Sequence, residues 1–116
     1  MRRFNEELSI IQKTYDLIVW FVPILNRLPR DHKYNLGDRI ISRLYEILED
    51  LVMAQYSKDK RRRLEVVNGK LEVVRFQVRL LTEFKLIDGE RFQYSSMRIN
   101  EIGQELGGWL KQQKTV

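Results

Sequence analysis

The stretch KDKRRRLEVVNGKLEVVRFQVRLLTEFKL, residues 58–86, decides the fold. It contains no proline and a single glycine, and Leu64, Val67, Leu71, Val74, Val78 and Leu81 recur at steps of three and four. That spacing lines apolar side chains along one side of an α-helix. About 28 residues rising ~1.5 Å each make a rod of roughly 42 Å, far longer than the ~11–12-residue globular mean. Arg75 and Arg79 stand one turn apart on a different face, and Arg61, Arg62 and Arg63 crowd the first turns. A core stripe and an arginine row therefore share one helix.

Outward from it, the pattern predicts three more helices. Residues 4–28 form the first. Phe4, Leu8, Ile11, Tyr15, Ile18, Val22 and Leu25 mark one side, and Ile10, Leu17, Phe21, Ile24 and Leu28 another. Apolar nearly all round from Leu17, such a helix is buried on more than one side. Pro23 predicts a kink or early end near Val19–Val22, since it lacks an N–H and clashes with the preceding turn. Residues 28–35 read as a break, with Pro29 forcing Leu28 out of helical geometry and Asn35 placed to cap the second helix. That helix, 36–56, carries a core stripe of Ile40, Leu44, Ile47, Leu51 and Ala54. Ile41, Tyr45, Leu48 and Val52 form a second stripe about 100° away.

Ser57-Lys58-Asp59 is a link too short for anything but an antiparallel third helix, 59–86. Asp88 caps the fourth, 90–112, whose stripe is Tyr94 or Ser95, Ile99, Ile102, Leu106 and Trp109 or Leu110. Gly103, Gly107 and Gly108 each cost roughly 1 kcal/mol inside a helix, which close approach of another backbone would offset. The tail from Lys111 to Val116 is polar and is expected to fray. No strand alternation or internal repeat appears. The expectation is an all-α, up-down-up-down four-helix bundle forming one domain over residues 1–116.

The chain is long enough for one core without staples, and it has no cysteine to make any. The longest apolar run, Leu17–Leu25, is interrupted by Pro23, whereas a membrane span needs ~20 residues. A basic then acidic start lacks the apolar region of a signal peptide. These features predict a soluble, cytoplasmic protein with no membrane partner. A net charge of +5 favours anionic partners, nucleic acid among them.

Catalysis is the poorest reading. The single histidine, His32, lies beside Asp31 with no second ligand or positioned base, and no Glu-x-x-His pair or phosphate-binding glycine loop occurs. No enzyme activity, metal or cofactor is expected. The arginines admit two readings. Arg75 pairs with Glu72 and Arg79 with Glu83 on a solvated face, or Arg75, Arg79 and Arg61–Arg63 bind phosphates through guanidinium forks. Arg39 and Arg43 repeat the spacing on the second helix, so the two rows could merge into one basic patch. The aromatics sit among aliphatics at helical spacing and read mainly as core; only Arg75-Phe76 and Lys33-Tyr34 hint at base stacking.

Specific residues resemble a family. Leu28-Pro29-Arg30, Leu71-x-x-x-Arg75-Phe76-x-x-Arg79-Leu80 and Ile102-Gly103-x-x-Leu106-Gly107-Gly108-Trp109-Leu110-Lys111 resemble the accessory variability determinants of diversity-generating retroelements. These are grouped with four-helix proteins encoded by intervening sequences in bacterial ribosomal RNA genes. The resemblance runs from about Tyr15 to Lys111, with the fourth-helix ending its most specific part. It implies a homopentameric ring of four-helix bundles that binds nucleic acid and a reverse transcriptase and supports mutagenic copying of a template repeat. It implies nucleic-acid contacts at Arg75 and Arg79 and matches Gly107-Gly108-Trp109 to the family's fourth-helix signature. Arg39, Arg43 and Arg61–Arg63 rest on charge and spacing alone. The surplus stripe Ile41, Tyr45, Leu48 and Val52, with Gly103, Gly107, Gly108 and Trp109, is the expected oligomer interface. Two alternatives stand beside this reading: a stand-alone RNA-binding bundle, and a structural scaffold whose charges are merely solvated. No base-reading motif is present, so RNA or DNA would be held by phosphate and shape.

Overall fold

The computed structural model describes residues 2–113, with side chains from Asn5 to Gln113. Phe4 of the first stripe and the last three residues of the tail lie outside the described side chains. Four long helices and no strand occur among these residues: α1 (Arg2–Leu25), α2 (Asp38–Tyr56), α3 (Lys60–Glu83) and α4 (Gly89–Gln112). Helix α3 packs on both α2 and α4, and α1 packs on the same two, closing a cycle.

The core stripes fall where their periods put them. Leu64, Val67, Leu71, Val74, Val78 and Leu81 of α3 are buried, as are Ile40, Leu44, Ile47, Leu51 and Ala54 of α2. Each large apolar side chain among them contributes about 1.5–3 kcal/mol over its exposed state. On α4 the core takes Ser95 and Trp109 from the alternatives, with Ile99, Ile102 and Leu106. Ser95 is tolerated there because its hydroxyl donates to the Arg91 and Phe92 carbonyls at 2.9 and 3.0 Å.

The first helix differs from expectation. It runs through Pro23 and ends at Leu25, three residues short of the expected end at 28. Pro23 sits exposed in the last turn, so its missing N–H removes one helical bond close to where the helix stops anyway. Of the two stripes, Ile10, Leu17, Phe21 and Leu28 are buried with Ile18 and Leu25, while Leu8 and Tyr15 face outward. By length and composition Asn5–Leu25 is apolar enough to cross a membrane, at a mean hydropathy of 1.4. The run Leu17–Leu25 understates that character because Leu8, Ile10, Ile11 and Tyr15 are scattered among polar residues.

The break before α2 is shorter than the sequence suggests. Pro29 closes it, and its carbonyl accepts from His32 and Lys33 N–H at 2.9 and 2.8 Å, starting a helical turn at Arg30–His32. A π-helical turn, Lys33–Gly37, leads on into α2. Asn35 therefore caps nothing; its side-chain amide donates to the Asp31 carbonyl at 2.7 Å. His32 stacks on Phe84 at 5.5 Å between ring centroids.

At the next junction Lys60 Nζ donates to the Ala54 and Gln55 carbonyls, both at 2.8 Å. A cation is thus set on the carbonyl end of α2, where orphan acceptors and the helix dipole favour it. Helix α3 ends at Glu83 rather than 86. Leu86 N–H bonds to the Leu81 carbonyl at 2.8 Å and Lys85 N–H to that of Thr82 at 2.9 Å. This is the Schellman arrangement, and it places Lys85 in the left-handed region at φ 58°. Asp88 caps α4 as expected, accepting from Arg91 N–H at 2.8 Å.

Candidate nucleic-acid interface

Ion pairs fix which flank of each helix faces which neighbour. Lys70 of α3 reaches α2, with Nζ 2.7 Å from Asp50 Oδ2 and 3.4 Å from Glu46 Oε1. The hydrogen bond to Asp50, followed by the attraction of that carboxylate and Glu46, raises the Lys70 pKa above its ordinary value. Lys13 of α1 pairs with Glu105 of α4, and that hydrogen bond raises the Lys13 pKa. The α2–α3 seam therefore carries Glu46, Asp50 and Lys70, and the opposite flank of α3 meets α4.

Arg75 and Arg79 lie on that opposite flank. They line a cleft with Phe92, Ser96 and Asn100 of α4, over Val78 and Ile99. Arg75 crosses to α4 so closely that a Cβ on Gly103 would stand 2.5 Å from its Nη2. Its Nη1 also donates to Glu72 Oε2 at 2.7 Å. Arg79 does not follow the paired one of its two readings. Among the described ion pairs it makes none with Glu83, and its guanidinium lies over the exposed Phe76 ring at 5.3 Å. Stacking on an aromatic face leaves the guanidinium edge free to donate.

The second arginine row does not join the first. Arg39 and Arg43 border a separate hollow with Tyr34, Asn35, Asp38, Ser42 and Glu46. Arg43 approaches Glu46 at 3.9 Å. Lys70 and its two carboxylates occupy the α2–α3 seam on that side, so the two rows stand on opposite flanks of α3. The Arg61–Arg63 cluster is also divided. Arg61 donates to the Gln113 carbonyl and Arg63 to Ser57 Oγ, each at 2.8 Å, while the Arg62 side chain is exposed.

The expected interface residues separate in the same way. Tyr45 and Val52 are exposed, and Ile41 and Leu48 half-buried, on the flank of α2 turned away from Lys70. Exposed Leu8, Tyr15 and Val19 of α1 extend the apolar surface of the bundle. Trp109 is buried in the chain's own core. Gly103 is filled by Arg75, whereas nothing stands within 4 Å of a Cβ on Gly107 or Gly108.

Sequence reasoning missed the role of Gly103 and the α4 wall of the cleft. The signal was present as Ser96, Asn100, Gly103 and Gly107, small or polar residues spaced along one flank of α4. Among the described residues no group of three or more His, Cys, Asp or Glu side chains is placed to hold a metal.

An all-helical protein of four long helices, with a paired-arginine cleft between two of them, is the class these features define. Residues 8–113 match the bAvd-like family, and the chain belongs to it: it is a bacterial accessory variability determinant-like protein. None of the curated proteins matches it. A solved structure from Bacteroides thetaiotaomicron, described as a protein of unknown function from the S23 ribosomal protein family, superposes with a TM-score of 0.83. It is 16% identical and covers 91% of this chain and 98% of its own, a likeness of fold. Neither the family nor this neighbour is a known enzyme.

Proposed function

We propose that this chain is a non-enzymatic, nucleic-acid-binding accessory subunit that assembles with a retroelement reverse transcriptase and supports mutagenic copying of a template repeat. The observation that carries the reading is family membership over residues 8–113 in a chain whose Arg75 and Arg79 share one open cleft. Two guanidiniums at such spacing suit backbone phosphates, and phosphate contacts carry no sequence preference. The helices are taken to run up-down-up-down, which the short links between α2 and α3 and between α3 and α4 support. The working form is a cytoplasmic homopentamer. Exposed apolar side chains on α1 and α2 favour association, and Gly107 and Gly108 offer bare backbone to a neighbouring copy.

The test is fluorescence anisotropy of labelled RNA and DNA across a salt series, with wild type and the Arg75→Ala/Arg79→Ala double variant. Each phosphate contact adds about 0.7–0.9 to the slope of log K against log salt. The double variant should bind all sequences more weakly and show a shallower slope, with its assembly unchanged by light scattering. Unchanged affinity and slope in a folded, assembled double variant would reduce the arginines to a solvated face. Co-purification with a reverse transcriptase, where one is encoded beside the gene, tests the partner. The S23-family fold neighbour keeps a second reading alive, a stand-alone bundle without a polymerase. Absence of any such polymerase gene would favour it.

A further inference from the structure

We infer that Gly103 is a positioning residue: it seats the Arg75 guanidinium against α4, so that Arg75 and Arg79 clamp one backbone phosphate in the α3–α4 cleft. The inference rests on the nucleic-acid reading above and concerns how that site is built. An arginine on a helix surface samples many rotamers, and ordering it on binding weakens affinity. Here a missing side chain on the neighbouring helix supplies a slot for it. A Cβ at position 103 would lie 2.5 Å from Arg75 Nη2, 3.6 Å from Leu71 Cδ2 and 3.7 Å from Arg75 Cζ. The guanidinium is thus the only group the methyl would displace, and Leu71 stays at ordinary contact distance.

Glycine is disfavoured in a helix interior, and nothing else near position 103 explains it. The neighbouring glycines differ, because a Cβ at 107 or 108 meets nothing within 4 Å. The seated guanidinium keeps Nη1 on Glu72 at 2.7 Å, an exposed carboxylate that an incoming phosphate can displace. Ser96 and Asn100, on the opposite wall, add a hydroxyl and an amide to the same cleft. Two forks, a hydroxyl and an amide around a small opening match the acceptors of a single phosphodiester.

The experiment is a double-mutant cycle on Gly103→Ala and Arg75→Ala, read by anisotropy with labelled single-stranded RNA and single-stranded DNA. Circular dichroism and light scattering check fold and assembly. Gly103→Ala should weaken binding about as much as Arg75→Ala, on the order of tenfold, and lower the salt slope by roughly one contact. In the Arg75→Ala background, adding Gly103→Ala should change neither affinity nor slope, because the glycine acts only through that guanidinium. In an Arg75→Lys background it should also be silent, since a slender ammonium needs no slot. Additive losses, or a folded Gly103→Ala variant with wild-type affinity and slope, would overturn the seat while leaving the nucleic-acid reading standing. A wild-type protein that binds neither strand at low salt overturns both.

Discussion

Glu72 should act as a built-in competitor for the phosphate, so Glu72→Gln should tighten binding while slightly weakening the fold. The carboxylate sits 2.7 Å from Arg75 Nη1, with side-chain exposures of 58% and 32%, so solvent screens much of the attraction. An i,i+3 pair of that kind contributes about 0.3–0.5 kcal/mol, which the phosphate need no longer displace once glutamine is present. Removing the negative charge also relieves repulsion, roughly 0.7 kcal/mol in bulk water for an anion ~6 Å away. Together the two effects amount to ~1 kcal/mol, or about fivefold in affinity at low ionic strength. The gain should shrink as the Debye length contracts toward ~8 Å at physiological salt. The fold should lose at most ~0.5 kcal/mol, a fall of about 2 °C in melting temperature for a chain of this size. Anisotropy titrations at two salt concentrations, paired with thermal melts, read both effects. A folded Glu72→Gln variant that binds no tighter than wild type at low salt would refute the reasoning, because Arg75 would then not meet the ligand.

Lys85 holds φ 58° without being glycine. Lys85→Gly should therefore raise the melting temperature by ~2–4 °C through relief of about 0.5–1 kcal/mol of left-handed strain, and Lys85→Ala, which keeps the strain, should not. Gly107→Leu should break up the oligomer seen by light scattering while circular dichroism stays helical, since nothing in the chain stands within 4 Å of a Cβ there; an assembled leucine variant would remove Gly107 from the interface. Lys70 has its pKa raised by Asp50 and Glu46, so its contribution is complete below the ordinary lysine value of ~10.4 and is lost as pH rises past the folded value. Denaturant unfolding should accordingly show Lys70→Met less stable than wild type at pH 8, with the gap closing only as pH rises past the raised Lys70 value.

Core positions were legible wherever a helix carried one clear apolar stripe. In α3 and α2 every residue of the core stripe is buried, because period and burial carry the same information there. In α1 two stripes competed, and only packing against α2 and α4 decides between them; Leu8 and Tyr15 turned outward while Ile10 and Phe21 turned in. The end of α3 was hidden for a different reason. The left-handed turn falls on Lys85, where a glycine would have announced it. Within the candidate site, the spacing of Arg75 and Arg79 showed that they share a flank. It could not show that Arg39 and Arg43 stand across Lys70 from them, because that depends on which flanks of α2 and α3 meet. Nor could it couple Gly103 to Arg75, which are far apart in sequence and joined only by the packing of two helices.

The return contact of α4 on α1 means that the four rods close on themselves, and the order in which the backbone strings them together is not what holds them in place. Glu6 and Gln112 hydrogen-bond at 2.8 Å, so the outset of the first rod and the finish of the last are next-door neighbours. A short glycine-serine bridge there, with a cut in the Ser57–Asp59 link, would give a rearranged gene whose product starts on the arginine helix. Such a permutant puts fusion partners at the α2–α3 corner, well along α3 from the arginine cleft, and leaves that cleft uncut, so labels or tethers can be mounted without altering one residue that lines it.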